Sequence, residues 1–193
     1  MLNSLSERIA DFLLRQKCFE DEMLPVYVYG VKVFLSSLIG VVLVLVTSCI
    51  LGVFESGVLF LLTFIILRQF TGGLHCDSYV ACNVTTVITF IVTVLFKDII
   101  IHTTSCNVIL GMMTIISFII TAIFSPVSHP NKEIEQKDRL KFRYVSLGIL
   151  ILHIAIVLLC NRWFSLEIII VTDFISSIYI VFGLIKNKTR KEK

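Results

Sequence analysis

Charge is what this chain has least of. Only 16% of its 193 residues are Asp, Glu, Lys or Arg, whereas 56% are hydrophobic and the mean hydropathy is +0.93. A soluble globular domain carries roughly 25% charged residues. The chain is therefore short of polar surface to cover a fold in water, and lipid is the solvent that suits it. Its length fits one polytopic membrane domain and leaves no room for a second, soluble one. The start, Met1 to Glu22, holds Glu7, Asp11, Glu20, Asp21 and Glu22 and no central apolar block, so it does not read as a cleavable secretory signal. Paired metal-ligand spacing is also missing. Cys18, Cys49, Cys76, Cys82, Cys106 and Cys160 form no Cys-x-x-Cys, which disfavours a thiol oxidoreductase. Cys49, Cys106 and Cys160 read as small apolar packing residues. There is no internal repeat and no low-complexity segment.

What is abundant is uncharged sequence. Val33 to Phe54 runs for 22 residues without a charge. At about 1.5 Å per residue, that is enough to cross a hydrocarbon core of about 30 Å. Ser78 to Phe96, Ile99 to Ser125, Tyr144 to Asn161 and Ile168 to Ile185 are further spans, the last interrupted by Asp173. Ser56 to Leu67 is only 12 residues. It crosses if Arg68 sits at the inner interface and the helix runs on toward Leu74; otherwise it is re-entrant. Six spans with the N-terminus inside put every one of the 17 Lys and Arg on the inner side except Lys97 and Arg162. Five spans would place the basic 129–143 segment and the basic tail on opposite sides of the membrane. Six crossings, with both termini cytoplasmic, are expected.

The first 30 residues differ. Leu5, Ile9, Phe12, Leu13 and Gln16 recur near helical spacing, and Ser4 and Glu7 have capping-box spacing. An amphipathic helix on the inner membrane surface, or packed on the cytoplasmic side of the domain, fits that pattern. The expected fold is all-α: one integral membrane domain of about six transmembrane helices. Residues 1–30 form the cytoplasmic-face helix, 31–185 the bundle and 186–193 a basic cytoplasmic tail.

Against this apolar background stands Arg68-Gln69-Phe70-Thr71-Gly72-Gly73-Leu74-His75, with Cys82 seven residues on. A protonatable base, a nucleophilic sulfur and a Gly-Gly step gain nothing from lipid unless chemistry or close packing needs them. His75 and Cys82 are the candidate base and nucleophile. On one straight helix they would sit about 10.5 Å apart along the axis, beyond thiol–imidazole contact. The chain must therefore bend, with Gly72-Gly73 and Asp77-Ser78 as the breakers. Asp77 or Ser78 then caps the next span. That puts Cys82 near its first turn, where the helix dipole favours thiolate. The pair forms within one chain or across a dimer.

Each group also has a plainer role open to it. Cys76 is the rival nucleophile, although adjacent residues on regular backbone point apart. His75 also serves as a hydrogen-bonding interface residue. A metal held by His75, Cys76 and Cys82 lacks a fourth ligand, so no metal or other cofactor is expected. Gly72 and Gly73 are turn and packing glycines, or let a substrate carbonyl approach backbone donors. Ser78 joins them as a candidate near the substrate. Arg68 snorkels to the interface or meets an acidic stretch of substrate. His153 and Asp173, both inside spans, form a mutual hydrogen bond or serve outward movement of a product. The basic 129–143 segment is a cytoplasmic anchor, or binds an acidic peptide tail.

Arg68, Gly72, Gly73, His75 and Cys82, in a small polytopic chain with an amphipathic N-terminus, resemble the accessory gene regulator B (AgrB) family. The resemblance implies a membrane cysteine endopeptidase that processes a quorum-sensing pro-peptide, with His75 and Cys82 as the catalytic pair. It implies cleavage of the pro-peptide's C-terminal part through a Cys82 acyl-thioester, then thiolactone or lactone closure. The expected partners are that pro-peptide, the bilayer and a second copy of the chain, with no nucleic acid. The expected location is the cell membrane, with the active site on the cytoplasmic face. A transporter subunit or scaffold without enzymatic activity is the competing class; it would use Asp173 and His153 as a polar pathway.

Overall fold

The computed structural model describes residues 2–18, 20–73, 76, 78–127, 135–160 and 166–191. The described residues form seven α-helices: α1 (Leu2–Arg15), α2 (Leu24–Ile50), α3 (Phe54–Thr71), α4 (Tyr79–Ile101), α5 (Cys106–Phe124), α6 (Gln136–Cys160) and α7 (Glu167–Lys191). One 3₁₀ turn, Asp21–Met23, leads into α2. The only pairing of strand type among the described residues is an isolated parallel bridge between Gly72 and Val127. The chain is all-α, and six of its helices are long and apolar enough to cross a membrane.

The short second stretch is one continuous helix of 18 residues. At about 1.5 Å per residue it is roughly 27 Å long, close to the thickness of the hydrocarbon core. It packs along α7, α6 and α2. Phe60, Phe64 and Phe90 interlock at its centre, with ring centroids 5.1 and 5.4 Å apart, and Val44, Val94, Val157 and Ile168 close the core around them. A smaller cluster of Ile100, Leu110, Met113 and Val171 joins α4, α5 and α7. Large apolar side chains such as Ile50, Val80, Leu158 and Leu159 point outward, as lipid-facing positions do.

Several boundaries differ from the charge-free runs. Phe54 opens α3 rather than closing α2, because Leu51-Gly52 turns the chain, with Gly52 at φ 69°. Lys97 and Asp98 do not separate two spans. They lie inside α4, where the buried Lys97 Nζ meets Asp98 Oδ1 at 3.1 Å and the pair carries its own counter-charge. The following helix starts at Cys106 rather than near Ile99. The basic stretch at 186–191 continues the helix of α7.

The N-terminal segment is helical from Leu2, so Ser4 is an interior residue and not a cap. Ser6 and Ala10 form the buried strip of α1, which packs against α2. Leu5 and Phe12, 48% and 59% exposed, face away. Small residues on the protein side and large apolar ones outside suit a helix lying between the bundle and a lipid surface.

Candidate active site

The end of the bundle that carries Arg68 and Cys82 is built by a chain reversal. Helix α3 stops at Thr71, and Gly72 closes it by donating its N–H to the Arg68 carbonyl at 3.1 Å. Gly72 has φ 67° and ψ −141°, and Gly73 has φ 122°, conformations that side chains disfavour. Both glycines are also crowded. A Cβ on Gly72 would strike the Val127 carbonyl, and one on Gly73 would lie 3.1 Å from the Tyr179 carbonyl. On the other side of that contact, a Cβ on Gly183 would come within 2.6 Å of the Gly73 backbone. The Val127 N–H donates to the Thr71 carbonyl at 2.9 Å. The Gly-Gly step is thus a turn clamped between the segment after α5 and helix α7. Its packing role is visible. The Gly72 N–H, spent on the helix end, does not face outward as an oxyanion donor.

The next helix begins as its sequence predicts. Ser78 is the N-cap of α4, in extended conformation, and its Oγ accepts the Ala81 N–H at 3.1 Å. Cys82 donates its own N–H to the Ser78 carbonyl at 3.0 Å, on the first turn of α4. The unbroken rod that would separate positions 75 and 82 does not form. Cys76 shows how far the chain folds back: its Sγ is 3.6 Å from Thr85 Oγ1, one turn beyond Cys82. His75 and Asp77 lie outside the described residues. Cys76 and Cys82 are half-buried free thiols.

Arg68 does not extend away from the bundle. Its guanidinium lies over the Phe64 ring at 5.1 Å and the Tyr179 ring at 5.4 Å, on the last turn of α3. Phe64 and Tyr179 meet edge to face at 6.3 Å. Thr89 Oγ1 donates its single proton to the Thr85 carbonyl at 2.6 Å, so the Tyr179 hydroxyl must donate to Thr89. Neither Tyr179 nor this line of threonines stood out in the sequence. A tyrosine and several threonines in apolar helices look like ordinary packing, and only the fold aligns them with Cys82.

Two further features frame the same end. Lys32 Nζ lies 5.3 Å from the Tyr79 ring, which lets a cation sit within α2 beside the start of α4. Arg143 Nε donates to the Ser125 carbonyl at 2.7 Å, satisfying the end of α5 with a basic side chain from α6. The rest of the basic 129–143 segment is only partly among the described residues, which resume at Glu135. Far along α6 and α7, His153 Nδ1 meets Asp173 Oδ1 and Oδ2 at 3.0 and 3.1 Å, so these two buried polar groups satisfy each other. Among the described residues no group of three His, Cys, Asp or Glu side chains could hold a metal.

With this geometry in hand, a comparison with known families decides what the chain is. The profile described as accessory gene regulator B matches residues 6–186. The chain belongs to the accessory gene regulator B family. It is similar to AgrB-like protein 2 of Clostridium perfringens (strain 13 / Type A), with 25% identity over 179 residues, 86% of this chain and 82% of that protein. An AgrB-like protein of Clostridium perfringens (strain SM101 / Type A) is 25% identical over 167 residues, 82% of this chain and 77% of that one. No solved structure matches it. Membership ties this multi-pass protein to the agr quorum-sensing system.

Proposed function

We propose that this AgrB-family protein is a membrane-embedded cysteine endopeptidase that cleaves a quorum-sensing pro-peptide and promotes its cyclisation. Cys82 is the nucleophile and His75 the base. The observation that carries the proposal is the clamped reversal between α3 and α4. It brings Cys76, the neighbour of His75 in sequence, back to Thr85, past Cys82.

The chemistry follows from those groups. His75 takes the Cys82 proton, and the thiolate attacks the scissile carbonyl. The tetrahedral intermediate collapses as its C–N bond breaks, and His75 returns the proton to the departing amine. The N-terminal part of the peptide stays on Cys82 as a thioester. A thiol or hydroxyl within the peptide then attacks that carbonyl, closing a thiolactone or lactone and regenerating the Cys82 thiol. Thioester exchange is nearly energy-neutral, so ring closure to a thiolactone needs no ATP. Forming the thioester from an amide is uphill and is drawn forward by loss of the released fragment. An apolar, water-poor setting protects the thioester from hydrolysis. Arg68, on the last turn of α3, supplies positive charge to the anionic states of the reaction.

The substrate in this proposal is a short pro-peptide held at the cytoplasmic face by its own amphipathic segment, and the enzyme works as a homodimer in the bilayer. The test uses purified protein and a candidate pro-peptide. Mass spectrometry is expected to find a covalent acyl adduct on Cys82 in the wild type and none in His75→Ala. Normal adduct formation without the imidazole would remove His75 from its role.

A further inference from the structure

We propose that Tyr179 is a positioning residue for the Cys82 reaction, its ring and hydroxyl together holding the Arg68 guanidinium at the thiol end of α4. This rests on the cysteine-peptidase assignment above and adds the part that keeps its cation in place.

Three different parts of Tyr179 touch three different parts of the site. Its ring carries the Arg68 guanidinium at 5.4 Å, with Phe64 supplying the second ring at 5.1 Å. Its hydroxyl donates to Thr89 on α4, the helix that bears Cys82. Its backbone carbonyl borders Gly73 in the turn. The hydroxyl contact is itself fixed. Thr89 is bonded back to the Thr85 carbonyl, and Thr85 is the residue that meets Cys76. A continuous set of contacts therefore runs from the cation to the turn beside the nucleophile.

The chemistry explains why a ring suits this place. An arginine near a helix end in lipid ordinarily stretches to the headgroups, because its charge is best hydrated there. To serve a sulfur inside the bundle it must be held inward. An aromatic face attracts a guanidinium through the negative charge of its ring face and so helps hold it inward. A cation fixed before the reaction costs no reorganisation when negative charge develops. Tyrosine adds to this a hydroxyl that a phenylalanine lacks, and the hydroxyl ties the ring to α4.

The experiment uses the full-length protein in a neutral detergent. The rates at which Cys82 is alkylated by iodoacetate and by iodoacetamide are read by mass spectrometry of the Cys82 peptide. The ratio of the anionic to the neutral reagent reports positive potential at the sulfur, which a purely structural role of Tyr179 would not move. Arg68→Gln is expected to lower the ratio about threefold or more. Tyr179→Leu should lower it to the same level, with no further fall in the double variant. Tyr179→Phe, keeping the ring, should lie between. A wild-type ratio in Tyr179→Leu overturns the proposal, and so does a fall in the double variant equal to the product of the two single effects. Should Tyr179→Leu not fold, Thr89→Val removes the hydroxyl's acceptor. A lowered ratio there supports the tether, and unchanged ratios in both Thr89→Val and Tyr179→Phe overturn it. The ratio needs no substrate. A wild type that shows this pattern yet cleaves no pro-peptide therefore sinks the peptidase assignment while supporting the tether.

Discussion

Cys76 Sγ stands 3.6 Å from Thr85 Oγ1, so a residue preceding Cys82 in the chain makes contact beyond it on α4. The turn is folded over the helix that bears Cys82 instead of leading straight into it. The two half-buried thiols consequently have different surroundings.

With its sulfur against Thr85, Cys76 packs the turn, and Cys82 is the proposed nucleophile. Co-expression with a pro-peptide should show that Cys76→Ala keeps most of the cleavage and Cys82→Ala has none. If the two results were exchanged, the nucleophile would have to be moved to Cys76.

Gly72 combines φ 67° with a neighbouring carbonyl that leaves no room for a Cβ. Gly72→Ala is expected to cost roughly 1–3 kcal/mol from backbone strain alone, and to end processing by displacing the turn. Thermal unfolding in detergent measures the first effect and peptide cleavage the second. An alanine variant with unchanged melting and activity would show that the turn is not strained.

Ser78 caps α4 with its side chain. Ser78→Ala should destabilise the start of that helix by about 1 kcal/mol, and Ser78→Asp should restore it. The measurement is hydrogen exchange at the first turn, Tyr79 to Cys82. Equal protection in all three proteins would argue against the cap.

Removing Asp173 leaves the buried His153 without its partner. Asp173→Leu is expected to destabilise the bundle by about 3 kcal/mol, while replacing both residues with leucine recovers much of that loss. Acylation of Cys82 should persist in the double variant once it is folded. Loss of acylation despite a normal melting curve would give the pair a part in the chemistry.

The six spans could be read from charge-free runs because lipid tolerates few charges, and α3 could be recovered from the demand that basic residues lie on one side. Exact ends could not. Lys97 escaped that logic because its immediate neighbour Asp98 neutralises it. Lys32 did so because the Tyr79 ring offers it a surface within the bundle. At the site, the need for a break between positions 75 and 82 followed from helix rise alone, and α3 and α4 are separate helices. The partners of that break were hidden. Val127, Tyr179 and Gly183 reach the turn from distant parts of the chain, through backbone contacts that leave no periodic signal in the sequence.

That dependence on the last helix has a consequence for biosynthesis. Cys82 and its turn leave the ribosome well before Tyr179 and Gly183, which close over them. A half-made chain in the membrane therefore carries the Cys82 turn without the backbone packing of α7 that clamps it, and the turn is complete only when the final segment inserts. Under the proposed chemistry, order of synthesis leaves a nascent thiol without its complete housing until the end.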